Sequence, residues 1–562
     1  MALHTGGHDA TAAIFEEYQL VAAIQKERIS RVKGDGGASP DLIDEALRIS
    51  GFSRADIDVL AVSNGLFPYY FLKIPLFRKL KYDLLALFGK TTELNSQRYA
   101  FHAGKLQKLP AFFGLKKDTQ VFLCEHHLAH ALSAFKYTDW TDQALLYTYD
   151  GTGDSVFHSA YYYDGKTLEC LEGGADSKFE KNVVGSLAFA YAFCTKAIGF
   201  RPNRHEGKLT GLAAYGQPSL YDVIAENFYV SEGGLIRSKF ANKKAMRDFF
   251  MKISNGVKRE DVACSIQKIL EDFILKSVQM YVEKTGARKL GVAGGVFANV
   301  RLNKHLKDHL DLDEIFIFPG MGDEGVAVGG ALQFLLERDG LEKFVTHKSK
   351  LQDVYLGYDY DSEVDAVFTK SDAIELVDGE PAKKCAELLA SGKVGAIYTG
   401  RMEYGPRALG ARTIMASPVD NGVNDSINKR LNRTEFMPFA PYVLAEDARD
   451  VFEIDDVNSY ACNFMTITTD VKEEWKQKIP AVVHVDGTAR PQIITREQNP
   501  LYYDILKNFK EQTGIAALVN TSFNAHEEPI INTPQECLRA LVNDRVDFVV
   551  TQKAIYRKKA GA

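Results

Sequence analysis

One structural plan occurs twice in this chain, and that repeat limits the possible folds more than any other feature. Near the start, "GGHDATAAIF" (6–15) passes through the polar turn "EEYQ" into "LVAAIQKERIS" (20–30): a Gly-rich turn, a strand, a turn and a second strand. From residue 144 the plan returns as the strand "ALLYTYD", the turn "GTGD", the strand "SVFHSAYYY" and the tight turn "DG" into "KTLECLEG". A strand that runs through a Gly/Asp turn straight into an antiparallel strand leaves backbone N–H groups free to cradle phosphate oxygens. The Asp of such a turn can hold a metal or a water.

Two such hairpins facing each other across a cleft describe the acetate kinase, hexokinase and actin type of nucleotide fold. The expected class is therefore α/β, with a duplicated actin-like (ribonuclease H-like) N-terminal domain. A third Gly-rich element follows a long amphipathic helix (about 262–284): the strand in "KLGVAGGVFANVRLN" ends at Gly294 and Gly295, with Asn299 and Asn303 beyond. Glycines there allow a ligand to approach the backbone, and the next helix N-terminus offers unpaired N–H groups. Gly151, Thr152, Gly153, Gly294, Gly295 and Asn299 are the candidate nucleotide-binding positions. "IFIFPGMGDEGVAVGGAL" then supplies a strand, a turn with Asp323 and Glu324, and a Gly/Ala-rich helix suited to close packing on the sheet.

Between the repeats lies "HHLAH" (126–130), in which Leu128, Ala131, Leu132 and Phe135 recur at helical spacing, so His126 and His130 share one helix face. A zinc-protease motif would need a Glu directly after the first His, and that position is His127. Together with Asp150 and Asp323 at strand tips, the two imidazoles form a mixed N/O ligand set with open positions. Such a set suits iron(II), manganese or zinc better than magnesium alone.

At 562 residues the chain exceeds one ordinary core. Its 46% hydrophobic and 25% charged residues are ordinary for a globular protein. A formal charge of −6 argues against nucleic acid as principal partner. The seven cysteines are scattered and form no C-x-x-C pair, which points to reduced thiols in a cytoplasmic protein. No stretch reaches the ~18 apolar residues of a membrane span. The stretch 67–90 interleaves aromatics with Lys73, Arg78, Lys79 and Lys81, and reads as a helical insertion on the protein body, or an interfacial helix.

Taken together, "GHDATAAI", "KERISR" (26–31), "HHLAHALSAF", "DGTGD", "EGKLTGLAAYG" (206–216), "GGVFANVRLN", "GDEG", "GRMEYGPRALGART" (400–413), "RTEFMPFAP", "HVDGTARPQ" (484–492) and "NTSFNAHEEPI" (520–530) resemble the O-carbamoyltransferases of nodulation-factor and antibiotic biosynthesis, across essentially the whole chain. The resemblance implies an N-terminal part similar to the tRNA threonylcarbamoyl-transferring protein and a C-terminal part similar to the domain that makes threonylcarbamoyl adenylate. It matches His126, His130, Asp150 and Asp323 to the family's metal ligands and implies iron. It also implies two stages: carbamoyl phosphate and ATP (with Mg2+) give carbamoyl adenylate, and the carbamoyl group then passes to an acceptor hydroxyl with AMP leaving. The domains expected are 1–345 for transfer and 356–562 for adenylate formation.

The C-terminal third carries the cations this chemistry needs. Arg401, Arg407 and Arg412 fall within one Gly/Pro-stiffened loop, and Arg433 and Arg490 follow. Guanidinium forks suit carbamoyl phosphate and a triphosphate. Asn520 and Ser522, at the end of the strand "GIAALV", can hydrogen-bond a carbamoyl amide. The family's Arg-Pro-Phe-Ala-Pro run is replaced here by Met437-Pro438 after "KRLNRTEF", so a phosphate contact is missing or comes from Lys429 or Arg430.

For transfer, His8 and Asp9 are expected at the phosphate or carbamoyl end. Glu206 is either the base for the acceptor hydroxyl, with Lys208 as charge partner, or a cap on the following helix. Two other functions remain open: a threonylcarbamoyl-type tRNA enzyme, and a non-catalytic actin-like nucleotide-binding protein. The acceptor, a small molecule or a glycan, is not legible, and oligomeric state, a homodimer included, is left open.

Overall fold

In the computed structural model, residues 1–63, 76–87, 90–154, 156–174, 183–433 and 437–561 are described. They divide into two compact units, one formed by 1–26 and 34–351, the other by 27–33 and 352–562. The grouping of 27–33 with the second unit was not foreseen from sequence.

The repeat becomes two sheets of identical topology. In the first, β1 (Ala2–His4), β2 (Thr11–Glu16) and β3 (Gln19–Gln25) form an antiparallel meander. β4 (Val59–Val62) and β5 (Gln120–Leu123) then extend it in parallel on the β1 side, giving the order β3-β2-β1-β4-β5. In the second, β6 (Gln143–Gly153), β7 (Val156–Asp164) and β8 (Leu168–Glu172) repeat the meander. After the small hairpin of β9 (Phe228–Val230) and β10 (Ile236–Ser238), β11 (Lys289–Ala293) and β12 (Glu314–Ile317) extend it in parallel, in the order β12-β11-β6-β7-β8. Parallel strands need helical crossovers and both faces covered. β11 and β12 are accordingly buried at almost every residue.

The Gly/Ala-rich segment forms the helix Val326–Asp339. As expected it packs on the first sheet, against β1, β2 and β4, and its glycines lie against the helix His126–Lys136 and the chain leading into it. A Cβ on Gly329 would sit 1.8 Å from the Ala129 carbonyl oxygen, and one on Gly330 would sit 2.7 Å from Cys124 Sγ. Only glycine permits that approach, which carries the turn before the helix, with Asp323, to the histidine face.

The second unit is built on an eight-stranded mixed sheet. Its strands run in the order Ile374–Val377, Ile555–Lys558, Phe548–Val550, Gly395–Tyr398, Arg412–Ala416, Ala517–Ser522, Ala440–Leu444 and Gln492–Ile494. The helices Pro381–Ala390 and Pro500–Thr513 cover one face through Cys385, Leu389, Tyr502, Ile505 and Phe509. The loop 404–411 and the Ser522 end of the neighbouring strand Ala517–Ser522 lie at one end of this sheet. Among the described residues, no helix is long and apolar enough to cross a membrane. The stretch 67–90 lies partly outside the described residues, and its described portion is helical at Leu76–Leu87.

Candidate metal centre and anion site

Four side chains distant in sequence converge in the N-terminal unit. The helix His126–Lys136 starts where Glu125 caps it, its carboxylate accepting from the N–H groups of His127 (2.9 Å) and Leu128 (2.7 Å) and from the Tyr161 hydroxyl (2.9 Å). That start fixes His126 and His130 on the face toward β6. Asp150 lies near the end of β6, and its Oδ1 accepts from the N–H of Gly151 (2.5 Å), leaving Oδ2 for the imidazoles. Asp323 enters from the turn before Val326–Asp339.

His126 Nε2 lies 3.5 Å from Asp150 Oδ2 and 3.5 Å from Asp323 Oδ1; His130 Nε2 lies 3.4 Å and 3.8 Å from the same atoms. All four ligand atoms fall within 4.8 Å of one another. Ligands about 2.1 Å from a tetrahedrally bound ion sit about 3.4 Å apart, so the spacing matches a cage for one ion. Both Nε2 atoms and Asp150 Oδ2 are buried without a hydrogen-bond partner among the described residues. Buried polar groups are seldom left so; the Nδ1 atoms of both rings also have no hydrogen-bond partner among the described residues. The residues fit a transition metal with nitrogen and oxygen ligands.

The electrostatics agree. Burial opposes protonation of His130, but Asp150 and Asp323 outweigh it and raise its pKa to about 9; His126 is raised in the same way. Burial and the nearby Asp323 would push Asp150 up, yet the two imidazoles hold it at about 2. At neutral pH the His130 imidazole thus carries a proton, which must leave when a cation enters.

Sequence reasoning missed His4. Fully buried at the end of β1, it shares a hydrogen bond with Ser63 Oγ through Nδ1 (2.8 Å), and its Nε2 lies 3.4 Å from Asp323 Oδ2. The repeat offered the signal, since His4 and Asp150 both lie toward the end of the first strand of their halves. His8 is exposed, pairs with Asp9 (2.9 Å) and lies 3.9 Å from Asp323 Oδ2. Its hydrogen bond to Asp9 raises its pKa to about 10.

Several glycines expected to cradle nucleotide have other work in the fold. A Cβ on Gly153 would fall 1.9 Å from the His126 ring, so this glycine lets the strand end close over the imidazole. Gly294 (φ +104°) has Tyr149 O 2.2 Å from where a Cβ would stand, and Gly295 lies against Asp150, with Oδ1 3.2 Å from its Cβ position. Gly151 has only Phe189 near its Cβ position (3.8 Å), and Thr152 beside it is exposed. Asn299 is occupied as well: it caps the helix Val300–His309 through Leu302 N–H (3.1 Å) and exchanges hydrogen bonds with Gln267 (2.8 and 3.2 Å). The Glu206 carboxylate accepts from Asn203 N–H (2.7 Å) just before the helix Glu206–Leu212, and burial raises its pKa above the ordinary carboxylate value. Lys208 is buried in that helix.

In the C-terminal unit the expected arginines separate into two kinds. Arg412 is fully buried, donates to the carbonyls of Thr399 (2.7 Å), Ala411 (2.9 Å) and Gly400 (3.1 Å), and stacks over Tyr398 at 3.9 Å. Arg401 donates to Gly357 O (2.8 Å) and Leu356 O (3.0 Å). Arg433 grips the end of the strand Ala517–Ser522 through Thr521 Oγ1 (2.9 Å), Ser522 O (2.9 Å), Ser522 Oγ (3.2 Å) and Asn524 O (2.8 Å). These three hold the backbone, contrary to the expectation that they face a ligand. Asn520 likewise donates to Ala408 O (3.1 Å) and Gln492 Oε1 (2.8 Å).

Arg407 and Arg490 differ. Burial, and then the like charge of Arg407, push the Arg490 guanidinium well below its ordinary pKa, and its Nε is buried without a partner among the described residues. Two guanidiniums close enough to repel form a place where an anion is stabilised. Burial and Arg490 also lower neighbouring His484 to about 4, leaving it neutral. The loop carrying Arg407 is fixed by Glu403, which the sequence did not single out. Its buried carboxylate accepts from the N–H groups of Leu409 (2.7 Å), Arg412 (3.2 Å) and Ala411 (3.3 Å).

Comparison with known proteins places both units. Residues 2–332 match the profile of the carbamoyltransferase N-terminus, and residues 386–558 match that of the carbamoyltransferase C-terminus. The chain is 31% identical to an uncharacterised protein of Methanocaldococcus jannaschii, over 96% of each chain. It is 30% identical to the nodulation protein NolNO of Sinorhizobium fredii, over 99% of this chain and 80% of that one, and 27% identical to nodulation protein U of the same organism, over 98% of each. Among solved structures, HypF of T. kodakarensis aligns with 61% of this chain and 48% of its own at 14% identity, with a TM-score of 0.30. The chain belongs to the carbamoyltransferase family and is a carbamoyltransferase.

Proposed function

We propose that this enzyme is an ATP-dependent O-carbamoyltransferase with its two half-reactions assigned to separate units. In the C-terminal unit, carbamoyl phosphate, ATP and one water give carbamoyl adenylate, phosphate and diphosphate. In the N-terminal unit, the acceptor hydroxyl attacks the carbamoyl carbon, the bond to the AMP oxygen breaks, and the hydroxyl proton leaves to a base or solvent. The observation that carries this reading is the cage of His126, His130, Asp150 and Asp323, with its orphaned inward atoms.

Arg407 and Arg490 bind the anionic groups of carbamoyl phosphate or ATP, where their mutual repulsion is relieved. Ser522, half-buried beside Arg433, stays a candidate for the carbamoyl end. His126, His130, Asp150 and Asp323 would hold a divalent ion, iron(II) by family likeness, which when bound would supply Lewis-acid polarisation of the carbonyl or the leaving phosphate. His4 keeps Asp323 turned toward the cage. His8, protonated and half in solvent, contacts the phosphate or carbamoyl end of the adenylate. Gly151 and Thr152, beside Asp150, remain the N-terminal backbone positions offered to the nucleotide.

The test is incubation with carbamoyl phosphate, ATP and a panel of aminoglycosides, nucleosides and oligosaccharides. Diphosphate release that requires carbamoyl phosphate, and a carbamoyl mass gain on one acceptor class, are expected. ATP binding with no diphosphate release would instead indicate a non-catalytic nucleotide-binding protein.

A further inference from the structure

Residues 27–33 leave the first hairpin of the N-terminal unit and group with the C-terminal unit, then return. Both ends of this excursion are tied within the N-terminal unit. Lys26 N–H donates to Ala10 O (2.8 Å), Asp9 N–H to Gly34 O (3.3 Å), Ala10 N–H to Asp35 O (2.9 Å) and Gly37 N–H to Gly6 O (2.9 Å). Its middle is tied in the C-terminal unit by two arginines. Arg31 Nη1 and Nη2 donate to Ile530 O and Pro529 O, each at 2.8 Å, and its Nε lies 3.3 Å from Glu536. Arg28 is buried, ion-paired with Glu27 (2.7 Å), and its Nη2 donates to the carbonyl of Gly405 (2.9 Å).

Gly405 stands two residues before Arg407. The far side of that loop is fixed by side chains of the C-terminal unit. Glu403 takes its N–H groups, Tyr355 Oη and Gln492 Nε2 donate to Leu409 O (2.7 Å each), and Asn499 Nδ2 donates to Gly410 O (3.1 Å). The near side, Gly405 (φ +104°) and the exposed Pro406, is backbone with a glycine's freedom and a proline that has no N–H to tie down. A buried guanidinium on the Gly405 carbonyl removes that freedom. Substituting Arg28 would also remove the buried ion pair with Glu27.

We propose that residues 27–33 act as a strap completing the anion site of the C-terminal unit, with Arg28 a positioning residue that sets Arg407 through the Gly405 carbonyl. This rests on the assignment of Arg407 to anion binding above. It follows that residues 352–562 alone lack one anchor of their own anion loop. Arg28 touches no substrate, so its effect falls on affinity for the anion Arg407 binds.

The test compares full-length wild type, Arg28→Ala and Arg28→Lys by two readouts. The first is hydrogen exchange at amides 404–409, which needs no catalysis. About tenfold faster exchange in Arg28→Ala, largely restored in Arg28→Lys, is expected, with exchange in the N-terminal sheet unchanged. The second is carbamoyl phosphate-dependent diphosphate release, where the KM for carbamoyl phosphate should rise about tenfold in Arg28→Ala with kcat within about threefold. Unchanged exchange at 404–409 in Arg28→Ala overturns the strap. Altered exchange with an unchanged KM overturns the positioning role. A wild type that releases no diphosphate overturns the functional reading and leaves the exchange result to decide the strap. If Arg28→Ala does not fold, Arg28→Lys alone, with exchange and KM both at wild-type values, supports the hydrogen bond to Gly405. Changes spread over the whole unit contradict it.

Discussion

The two units use their motif residues in opposite ways. In the N-terminal unit, the motif side chains His126, His130, Asp150 and Asp323 point at one another and leave ligand atoms unpartnered. In the C-terminal unit, Arg401, Arg412 and Arg433 turn to backbone carbonyls, and the proposed anion contacts are Arg407 and Arg490, whose like charges oppose each other. A carboxylate and an imidazole have few ways to be satisfied in an apolar interior, so a buried cluster of them without partners implies an ion. An arginine carries five donors and can serve the fold by gripping carbonyls. Motif membership is therefore a stronger guide to ligand contact for the first kind of residue than for the second.

The contrast breaks most sharply at His130. His130→Ala is expected to lower carbamoyl transfer by ~10³-fold, the scale on which one preorganised electrostatic group acts, with carbamoyl adenylate formation within twofold of wild type. Loss of both activities in a folded variant, followed by diphosphate release and acceptor mass, would contradict the division between units. The next test sets Arg407 against Arg412. Arg407→Ala is expected to slow adenylate formation by ~10²-fold without changing thermal stability. Arg412→Ala, which orphans three carbonyls in the core, should cost about 3 kcal/mol and lower the melting temperature by roughly 10 °C. Equal stability losses in the two variants would erase the distinction.

Much of the N-terminal site was legible because its constraints are local or repeated. Two imidazoles at i and i+4 share a helix face whatever the fold, and a strand plan written twice predicts two sheets. His4 was missed because only its place in the repeat marks it, and its position 3.4 Å from Asp323 depends on residues far away in sequence. Glu206 was ambiguous between base and cap because both uses need a carboxylate at a helix start; its carboxylate accepts from the N–H of Asn203 (φ +61°), and burial raises its pKa. The arginines were legible as a cluster but not by role, since which carbonyls surround a guanidinium depends on strands far away in sequence. Residues 27–33 were hidden for the same reason.

Two smaller effects sharpen the comparison. Gly153→Ala drives a methyl into the His126 ring and should weaken metal binding by roughly 10–100-fold, as displaced ligand orientation does elsewhere. Metal titration checks it, and unchanged affinity would mean the strand end yields freely. The second concerns two histidines, one in each unit. His158 in β7 is buried among Tyr147, Tyr149 and Phe157, both ring nitrogens lack a hydrogen-bond partner among the described residues, and burial lowers its pKa to about 3. The depressed pKa favours the neutral ring in the fold, so its contribution is complete above the unfolded pKa near 6.5 and is lost as pH falls from there toward 3. By pH 5 the loss is about 2 kcal/mol. His158→Phe should flatten the acid side of the stability curve by that amount; His484, whose ring is hydrogen-bonded to Thr488 (3.0 Å), lies in the other unit and should leave the N-terminal transition unmoved when replaced.

The most direct measurement is anaerobic titration of the metal-stripped full chain with iron(II) or manganese(II), wild type beside the His126→Ala/His130→Ala double variant. One ion per wild-type chain, with affinity rising as pH is raised toward 9 because the incoming cation displaces the His130 proton, and no tight binding in the variant, is the predicted result. Equal stoichiometry and affinity in the two proteins would contradict the account.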